Sequence, residues 1–168
     1  MHLALFNIGR MIAPEGDPRV AEFYAGLDRI NALADDSPGF IWRLVDSDSN
    51  NATSVRPYEA DPDMLVNLSV WESRESMFNY VYRSEHMEFL RRRREWFLPV
   101  KEAIVVLWWV PIGYTPTLAE SMERLDHLRA HGPTPHAFTF RNAFEPQPDD
   151  AVNPVVPQPF RRAERADR

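Results

Sequence analysis

Three residues in the middle of the chain have types and a spacing that could serve chemistry. Tyr82, His86 and Arg93 would share one face of a continuous helix, because a helix turns about 100° per residue. A histidine placed there can act as a general base near neutral pH, and an arginine can hold a carboxylate or phenolate. Two other interpretations of His86 stay open, namely a structural hydrogen bond and ligation of haem iron through one ring nitrogen.

Two asparagines stand in otherwise apolar segments of strand-like pattern. Asn7 lies in HLALFNI, and Asn67 lies in MLVNLSVW. Burying an amide group costs free energy unless the group is hydrogen-bonded, so a purpose is expected at these positions. Either side chain could hold a substrate oxygen or dioxygen. The structural alternative is a hydrogen bond to a neighbouring helix, or a sheet bulge.

Aromatic residues accompany these polar groups and could form the wall of a cavity. Trp71 ends a predicted strand and could stack on a flat aromatic ligand. Its structural alternative is a core tryptophan that plugs the corner between sheet and helix. The predicted catalytic residues are His86, Asn7 and Arg93, and the predicted substrate-binding residues are Trp71, Tyr82, Asn67 and Phe89.

Four consecutive arginines, Arg91–Arg94, follow the histidine. They cannot all face one way on a helix, so two of them should lie against solvent or pair with Glu88 and Glu95. The structural interpretation of the run is a salt-bridged helix surface or a contact with a partner subunit. Nucleic-acid binding is not predicted, because the net charge of the chain is −6.

A second group of titratable residues lies near the end of the third predicted helix. His127 and His131 are four residues apart, a spacing that can chelate a metal ion, and Asp126 is beside them. Histidines at a helix C-terminus are also favoured by the helix dipole. The glutamate of an HExxH motif is missing, and so are glycine-rich phosphate loops and a G-x-S-x-G elbow. We predict no metal site and no cofactor, with haem on His86 as the alternative.

The elements that must position these residues follow from hydrophobic periodicity. Strands are predicted over residues 2–8, 40–45, 64–71, 104–110 and 136–142. Helices are predicted to begin at Asp17-Pro18, at Ser73 with a break or bend near Ser84, and at the capping box of Thr117. In chain order this is β-α-β-β-α-β-α-β. The predicted fold class is therefore α+β, with a ferredoxin-like split βαβ antiparallel sheet and an extra C-terminal helix and strand.

A sheet with helices on one face leaves its second face to be covered. The apolar pair Trp108 and Trp109 and the two-sided first strand suggest that this face is not open to water. Two sheets packed face to face would solve the problem, so a homodimer is predicted. The predicted domain spans residues 1–142, and residues 143–168 are predicted to be a mostly disordered tail rich in proline and arginine. The long polar loop 47–63 is a candidate lid.

Composition places limits on the class of protein. The chain has 168 residues, 44% of them hydrophobic, and no cysteine, which excludes disulfides and thiolate chemistry. The absence of cysteine suits a reducing cytoplasm, and a cytoplasmic location is predicted. No signal peptide and no membrane-spanning segment are predicted, because the apolar runs are too short.

Two runs of sequence carry a resemblance to a known group of proteins. NLSVWES, followed by YVYRSEHMEFLRRRREWF, resembles an uncharacterised bacterial family beside the antibiotic-biosynthesis-monooxygenase-like superfamily of dimeric α/β barrels. The resemblance covers about residues 1–142. It implies a range of roles, from cofactor-free oxygenation of polycyclic phenols to haem degradation, isomerisation and simple binding. Asn7, Trp71 and His86 are the positions that could fill the asparagine, tryptophan and histidine trio of the haem degraders.

The resulting functional prediction is a small-molecule oxygenase similar to cofactor-independent monooxygenases. Its ligand would be an aromatic or polyketide-like molecule held between sheet and helices. Two alternatives stay open, a haem-binding or haem-degrading protein and a non-enzymatic small-ligand binding protein.

Overall fold

A four-stranded antiparallel sheet is the centre of the fold in a computed structural model that describes residues 1–146. The strands are β1 (His2–Arg10), β2 (Phe40–Arg43), β3 (Met64–Trp71) and β4 (Val105–Val110). The helices are α1 (Ala21–Asp35), α2 (Arg74–Arg83), α3 (His86–Trp96) and α4 (Leu118–His131). The spatial order β2-β3-β1-β4 is that of a split βαβ unit, which confirms the predicted ferredoxin-like α+β fold.

The helices are capped at their N-termini by side-chain oxygens that accept backbone hydrogen bonds, as the sequence predicts. The carboxylate of Asp17 accepts a hydrogen bond from the Arg19 N–H at 2.9 Å, ahead of the 3₁₀ turn Pro18–Val20 that leads into α1. Ser73 caps α2, and the Thr117 hydroxyl accepts from the Glu120 N–H at 3.1 Å to begin α4. These bonds satisfy backbone donors that the first helical turn leaves free.

Of the break or bend predicted near Ser84, the structure shows a break between α2 and α3. Ser84 has extended backbone, with φ −114° and ψ −178°, so the helix cannot continue through it. Its hydroxyl donates to the Tyr80 carbonyl at 2.5 Å and accepts from the His86 N–H at 3.2 Å. Tyr82 therefore belongs to α2 and His86 to α3, which differs from the continuous helix assumed in the sequence prediction.

The two faces of the sheet pack against different parts of the chain, following the alternation of strand side chains. The first face carries Leu3, Leu5, Trp71 and Leu107 and packs with Met77 and Val81 of α2. The second face carries Ala4, Phe6, Ile8, Val66, Leu68, Val70, Val106, Trp108 and Val110 and packs with Leu125 and Leu128 of α4. Both faces are apolar, as predicted for the first strand.

The second face is covered by the chain itself. Leu125 is fully buried and Leu128 is 4% exposed where α4 lies on the sheet, and Ala52 from the long loop joins the same cluster. The predicted reason for a homodimer was that a second copy would cover this face. That reason does not hold, because α4 and the loop already occupy the face. The homodimer itself stays a prediction.

The predicted strand over residues 136–142 is wrong. Only Phe138 forms a bridge to β4, with two hydrogen bonds of 2.9 Å to Leu107. Pro133 and Pro135 precede it and have no N–H to donate, so a longer ladder does not extend in that direction. Phe144, placed in the predicted tail, packs against the first-face cluster. The rest of the predicted disordered tail, 147–168, lies outside the described residues.

The candidate lid 47–63 has no helix or strand but is held by side-chain hydrogen bonds. Asp46 accepts from the Ser49 N–H and the Ser54 hydroxyl, each at 2.6 Å. These bonds, with the Ser54 bond foremost, lower the pKa of Asp46 to about 2.

Within residues 1–146, no helix is long and apolar enough to cross a membrane.

Candidate functional site

A cavity of about 380 Å³ lies on the first face of the sheet, under the helices. Alternate residues of two central strands form its floor, namely Leu5, Asn7 and Gly9 of β1 and Leu65, Asn67 and Ser69 of β3. Its apolar walls include Phe23, Leu27, Phe89, Leu90, Trp96 and Phe97. A volume of this size suits a small organic molecule.

The two predicted asparagines meet in the floor of the cavity. Asn7 of β1 is the direct pairing partner of Asn67 of β3, so their side chains stand next to each other on one face. Asn7 is half-buried and Asn67 is exposed. Within residues 1–146 neither side-chain amide has a hydrogen-bond partner. Two neighbouring amides are thus free to bind a ligand oxygen.

The tautomer of His86 is determined by a backbone carbonyl. Its Nδ1 lies 3.2 Å from the Val81 oxygen, and a carbonyl can only accept, so Nδ1 carries the proton. The lone pair is therefore on Nε2, which has no partner among the described residues. Burial lowers the pKa of His86, although the bond to Val81 acts in the opposite direction. A neutral imidazole at pH 7 with a free Nε2 can accept a proton.

Trp71 does not line the cavity and lies behind Tyr80. This position corrects the predicted role of Trp71 as a cavity wall. Its indole is fully buried, and its Nε1 donates to the Ser69 hydroxyl at 3.0 Å. Tyr80 stacks on Trp71 with ring centroids 5.0 Å apart, and its other side contacts the tilted ring of His86 with centroids 4.8 Å apart. Trp71 thus plugs the corner between sheet and helix, and Tyr80 is the aromatic ring that reaches the cavity.

The sequence reasoning missed Tyr80, because its position depends on packing between elements. Periodicity along α2 assigns residues to faces but does not say which aromatic ring fits between a tryptophan and a histidine. The only sequence signal was the presence of a tyrosine on α2, one helical turn before the break. Burial raises the pKa of the Tyr80 hydroxyl, so it stays protonated.

The remaining predicted residues line the cavity from two helices. Tyr82 reaches it from α2 and contacts Phe140 edge-on, with centroids 5.5 Å apart. Phe89 and Arg93 reach it from α3. Arg93 is half-buried and has no ion-pair partner within residues 1–146. Among residues 1–146, the lining contains no aspartate or glutamate, so this part of the site suits a ligand that carries negative charge.

The other arginines of the run lie on the surface of α3. Arg92 pairs with Glu95 at 2.7 Å and with Glu22 of α1, and its guanidinium lies 4.7 Å from the ring centroid of Trp96. Arg91 and Arg94 are exposed. Three of the four arginines therefore lie on the helix surface, where two were predicted, and Arg93 lines the cavity.

Close packing of α1 against α3 brings the aromatic wall into place. A Cβ atom built on Gly26 of α1 would lie 2.0 Å from Cζ of Phe89. A Cβ on Gly9 in the floor would lie 2.6 Å from Cδ1 of Phe97. Both glycines are needed because aromatic rings occupy the space of their missing side chains.

Fold and cavity together define a ferredoxin-like α+β protein with a cavity of about 380 Å³ between its sheet and helices. The chain belongs to the family described as a domain of unknown function (DUF3291), which matches residues 2–153. This match confirms the predicted membership of an uncharacterised family. A search of curated proteins finds no match to the chain.

Several solved structures are similar to this chain in fold. SnoaB, a cofactor-independent oxygenase from Streptomyces nogalater, is 17% identical with a TM-score of 0.42, covering 70% of this chain and 96% of its own. A conserved protein from Methanosarcina mazei Go1 is 18% identical with a TM-score of 0.47, covering 64% and 91%. A protein of unknown function from Nitrosomonas europaea is 10% identical with a TM-score of 0.46, covering 69% and 95%.

Proposed function

We propose that the chain is an oxygenase that needs no cofactor and acts on an aromatic, enolisable or polyketide-like small molecule. The observation that carries this proposal is the free Nε2 of His86 in the lining of an otherwise largely apolar cavity. The NLSVWES and YVYRSEH runs resemble an uncharacterised family beside the antibiotic-biosynthesis-monooxygenase-like superfamily, and the cofactor-free oxygenases within that superfamily support the same choice. The substrate lies on the floor formed by β1 and β3, under the aromatic wall of α1 and α3.

His86 acts as the general base. Nε2 accepts the proton of a phenol or enol O–H, and the imidazolium is then held by its Nδ1–H bond to the Val81 carbonyl. The substrate becomes a phenolate or enolate, which is electron-rich enough to reduce dioxygen. Arg93 lies in the same lining, which has no carboxylate among residues 1–146, and it stabilises the anion.

Dioxygen is the co-substrate and the oxidant. The anion passes one electron to O₂, and the resulting radical pair combines to form a C–O bond in a peroxide. The peroxide anion takes back the proton held by His86, and loss of water from the hydroperoxide leaves a carbonyl group, so that a CH₂ carbon and O₂ give C=O and H₂O. The paired amides of Asn7 and Asn67 hold the oxygen atoms at the floor. Tyr82 and Phe89 enclose the ring of the substrate.

The test is oxygen consumption by the purified chain with a panel of phenolic and enolisable compounds. His86→Gln removes the base while keeping a polar side chain, and it should reduce turnover by about 10²–10⁴-fold. Asn7→Ala should also reduce turnover. His131→Gln is the matched control, because this histidine lies outside the cavity. Unchanged turnover of an accepted substrate in both cavity variants would refute the assignment.

A second candidate function, haem binding, is favoured by the same imidazole geometry. A histidine that donates Nδ1–H to a backbone carbonyl presents Nε2 to a metal, as haem ligands do. Titration of the apo-protein with haem distinguishes the two. A saturable Soret shift that is lost in His86→Ala would assign His86 as an iron ligand. No specific binding would exclude this candidate.

A further inference from the structure

We propose a second site on the other side of the sheet, which binds a divalent transition-metal ion through Glu123, His127 and His136. One ligand atom from each residue lies within 4.8 Å of the other two. Glu123 and His127 are on α4, which covers the second face. The site is therefore separate from the cavity, and its test does not depend on the proposed oxygenase activity.

The fold holds these three side chains together. Glu123 and His127 are four residues apart on α4, so they are neighbours on one helix face. The helix ends at Gly132, whose φ of 74° turns the chain back along its own side. His136 follows in a turn closed by two hydrogen bonds between Thr134 and Ala137, of 2.9 and 3.1 Å.

The backbone that carries His136 is anchored in the core. Ala137 and Phe138 are fully buried, and Phe138 is bonded to Leu107 of β4. The imidazole of His136 thus stands over α4 on a fixed base. Its ring centroid is 4.6 Å from that of His127. Binding of an ion draws ligand atoms that already lie within 4.8 Å of one another to metal-ligand distances.

The donor set selects the class of ion. Two imidazole nitrogens and one carboxylate suit Zn²⁺, Co²⁺, Ni²⁺ or Cu²⁺, whereas Ca²⁺ and Mg²⁺ prefer oxygen ligands throughout. Glu123 is exposed, and both histidines are half-buried, so an ion can enter and keep water in its remaining coordination positions.

The proposed ligands differ from the pair His127 and His131 that the sequence suggests, because His136 takes the place of His131. The Nδ1 of His131 is bonded to the His127 carbonyl at 3.1 Å.

Without an ion, the ligands are bonded to each other and to their neighbours. Nε2 of His136 lies 3.1 Å from both oxygens of Glu123, and Nε2 of His127 lies 3.2 Å from the Thr134 hydroxyl. An ion between the residues would replace the Glu123–His136 bond. The carboxylate then neutralises part of the charge of the ion.

Arg124 controls access of a metal ion to His136. Its Nη1 donates to Nδ1 of His136 at 2.8 Å, which leaves the imidazole proton on Nε2. Metal binding at Nε2 requires that proton to move to Nδ1, and the bond from Arg124 is then lost. Arg124 keeps the His136 carbonyl at 2.7 Å and Glu120 at 3.4 Å as acceptors. Removal of its positive charge should therefore strengthen metal binding.

The experiment is calorimetric titration of the full, tag-free chain with Zn²⁺, with Co²⁺ as a spectroscopic probe of ligand geometry. One Zn²⁺ should bind per chain. Glu123→Gln, His127→Gln and His136→Gln should each weaken binding by about tenfold or more, since even outer-shell changes cost that much. Arg124→Gln should tighten binding, because glutamine can accept from Nδ1–H. Thermal unfolding checks that each variant is folded.

Two control variants make the outcome specific. His131→Gln changes the neighbouring histidine, and His86→Gln changes the histidine of the cavity, so both should bind Zn²⁺ like the wild type. The proposal is overturned if the wild type binds no Zn²⁺ at about 1 mM. It is also overturned if binding survives the three ligand substitutions or is lost in either control.

Discussion

His86 combines three properties that are separately ordinary: a bonded Nδ1, an Nε2 without a partner in residues 1–146, and a pKa lowered by burial. Together they make it a proton acceptor near neutral pH. A histidine with the opposite tautomer would present an N–H to the cavity and could not serve as the base. In the proposed function, the Val81 carbonyl sets the tautomer that lets His86 act as the base.

The first prediction concerns the pH dependence of oxygen consumption. Above pH 6.5 His86 is neutral, so its titration should not change kcat/KM there. The value of kcat/KM should fall as the pH drops through the lowered pKa of His86, since only the neutral imidazole accepts a proton. The measurement is a pH profile for wild type and His131→Gln, which should coincide. An acidic limb centred above 6.5 would contradict the prediction.

The second prediction concerns pH-dependent stability. The pKa values of His86 and His127 are lowered in the folded chain, in both cases first by desolvation. Below pH 6.5 the unfolded chain therefore binds more protons, and stability falls as the pH falls toward the folded pKa values. Urea unfolding at about pH 7.5 and about pH 5 measures this slope. His86→Gln should make it shallower, whereas an unchanged slope would count against a buried His86.

Most of the cavity residues could be predicted from the sequence because they follow local periodicity. Strand alternation places Asn7 on the same face of β1 as Leu5, and helical spacing places Arg93 on the same side of α3 as His86. Trp71 follows the same strand alternation as Asn67, yet it is covered by Tyr80. Which aromatic ring covers another is decided by packing between elements, and a single sequence does not record it.

At the scale of elements, the contact between α1 and α3 determines the width of the cavity. The ring of Phe89 occupies the space beside Gly26, and Arg92 of α3 pairs with Glu22 of α1. A second ion pair joins Arg29 of α1 to Glu85 at the start of α3. Exposed ion pairs contribute little free energy, so the ring against the glycine is the contact that fixes the spacing.

The third prediction is that Gly26→Ala destabilises the chain and disturbs the cavity. The new methyl group would overlap Phe89, and overpacking of this kind costs about 1–3 kcal/mol. Phe89→Leu in the same chain should restore part of the loss, because the smaller side chain makes room. Chemical denaturation of the single and double variants measures the coupling. Purely additive effects would contradict a direct contact.

The predicted helix starts were accurate, whereas the last predicted strand was not. Asp17, Ser73 and Thr117 cap helices through bonds to residues two or three positions away, so the signal is local. HAFTFRN has the alternation of a strand, but only Phe138 finds a partner, next to Leu107. A strand needs a neighbouring edge along its whole length, and that edge depends on the complete fold.

At the scale of the whole molecule, the sheet separates two regions with different tasks. The first face carries the cavity, and the second face carries α4 and the proposed metal site. The sequence predicted that the second face must be covered, but it did not identify α4 as the cover. The apolar stripe of α4 looks the same whether it contacts its own sheet or another surface.

The fourth prediction tests that cover. Leu125→Ala removes a fully buried side chain from the contact between α4 and the sheet, and it should cost about 2–5 kcal/mol. Leu98→Ala is the matched control, because Leu98 is 42% exposed and should change stability little. The free energy of unfolding in urea gives both values. Equal effects of the two substitutions would mean that α4 does not pack as described.

The covered second face also has a consequence for the response of the protein to dilution. A sheet that relied on a second molecule would lose its cover as that molecule dissociated, and its melting temperature would fall with concentration. Here α4 is tethered to β4 by residues 111–117, so the local concentration of the cover is fixed by the length of a short linker. The cover of this face should therefore add no concentration dependence to the melting temperature, which is measured before and after about a hundredfold dilution.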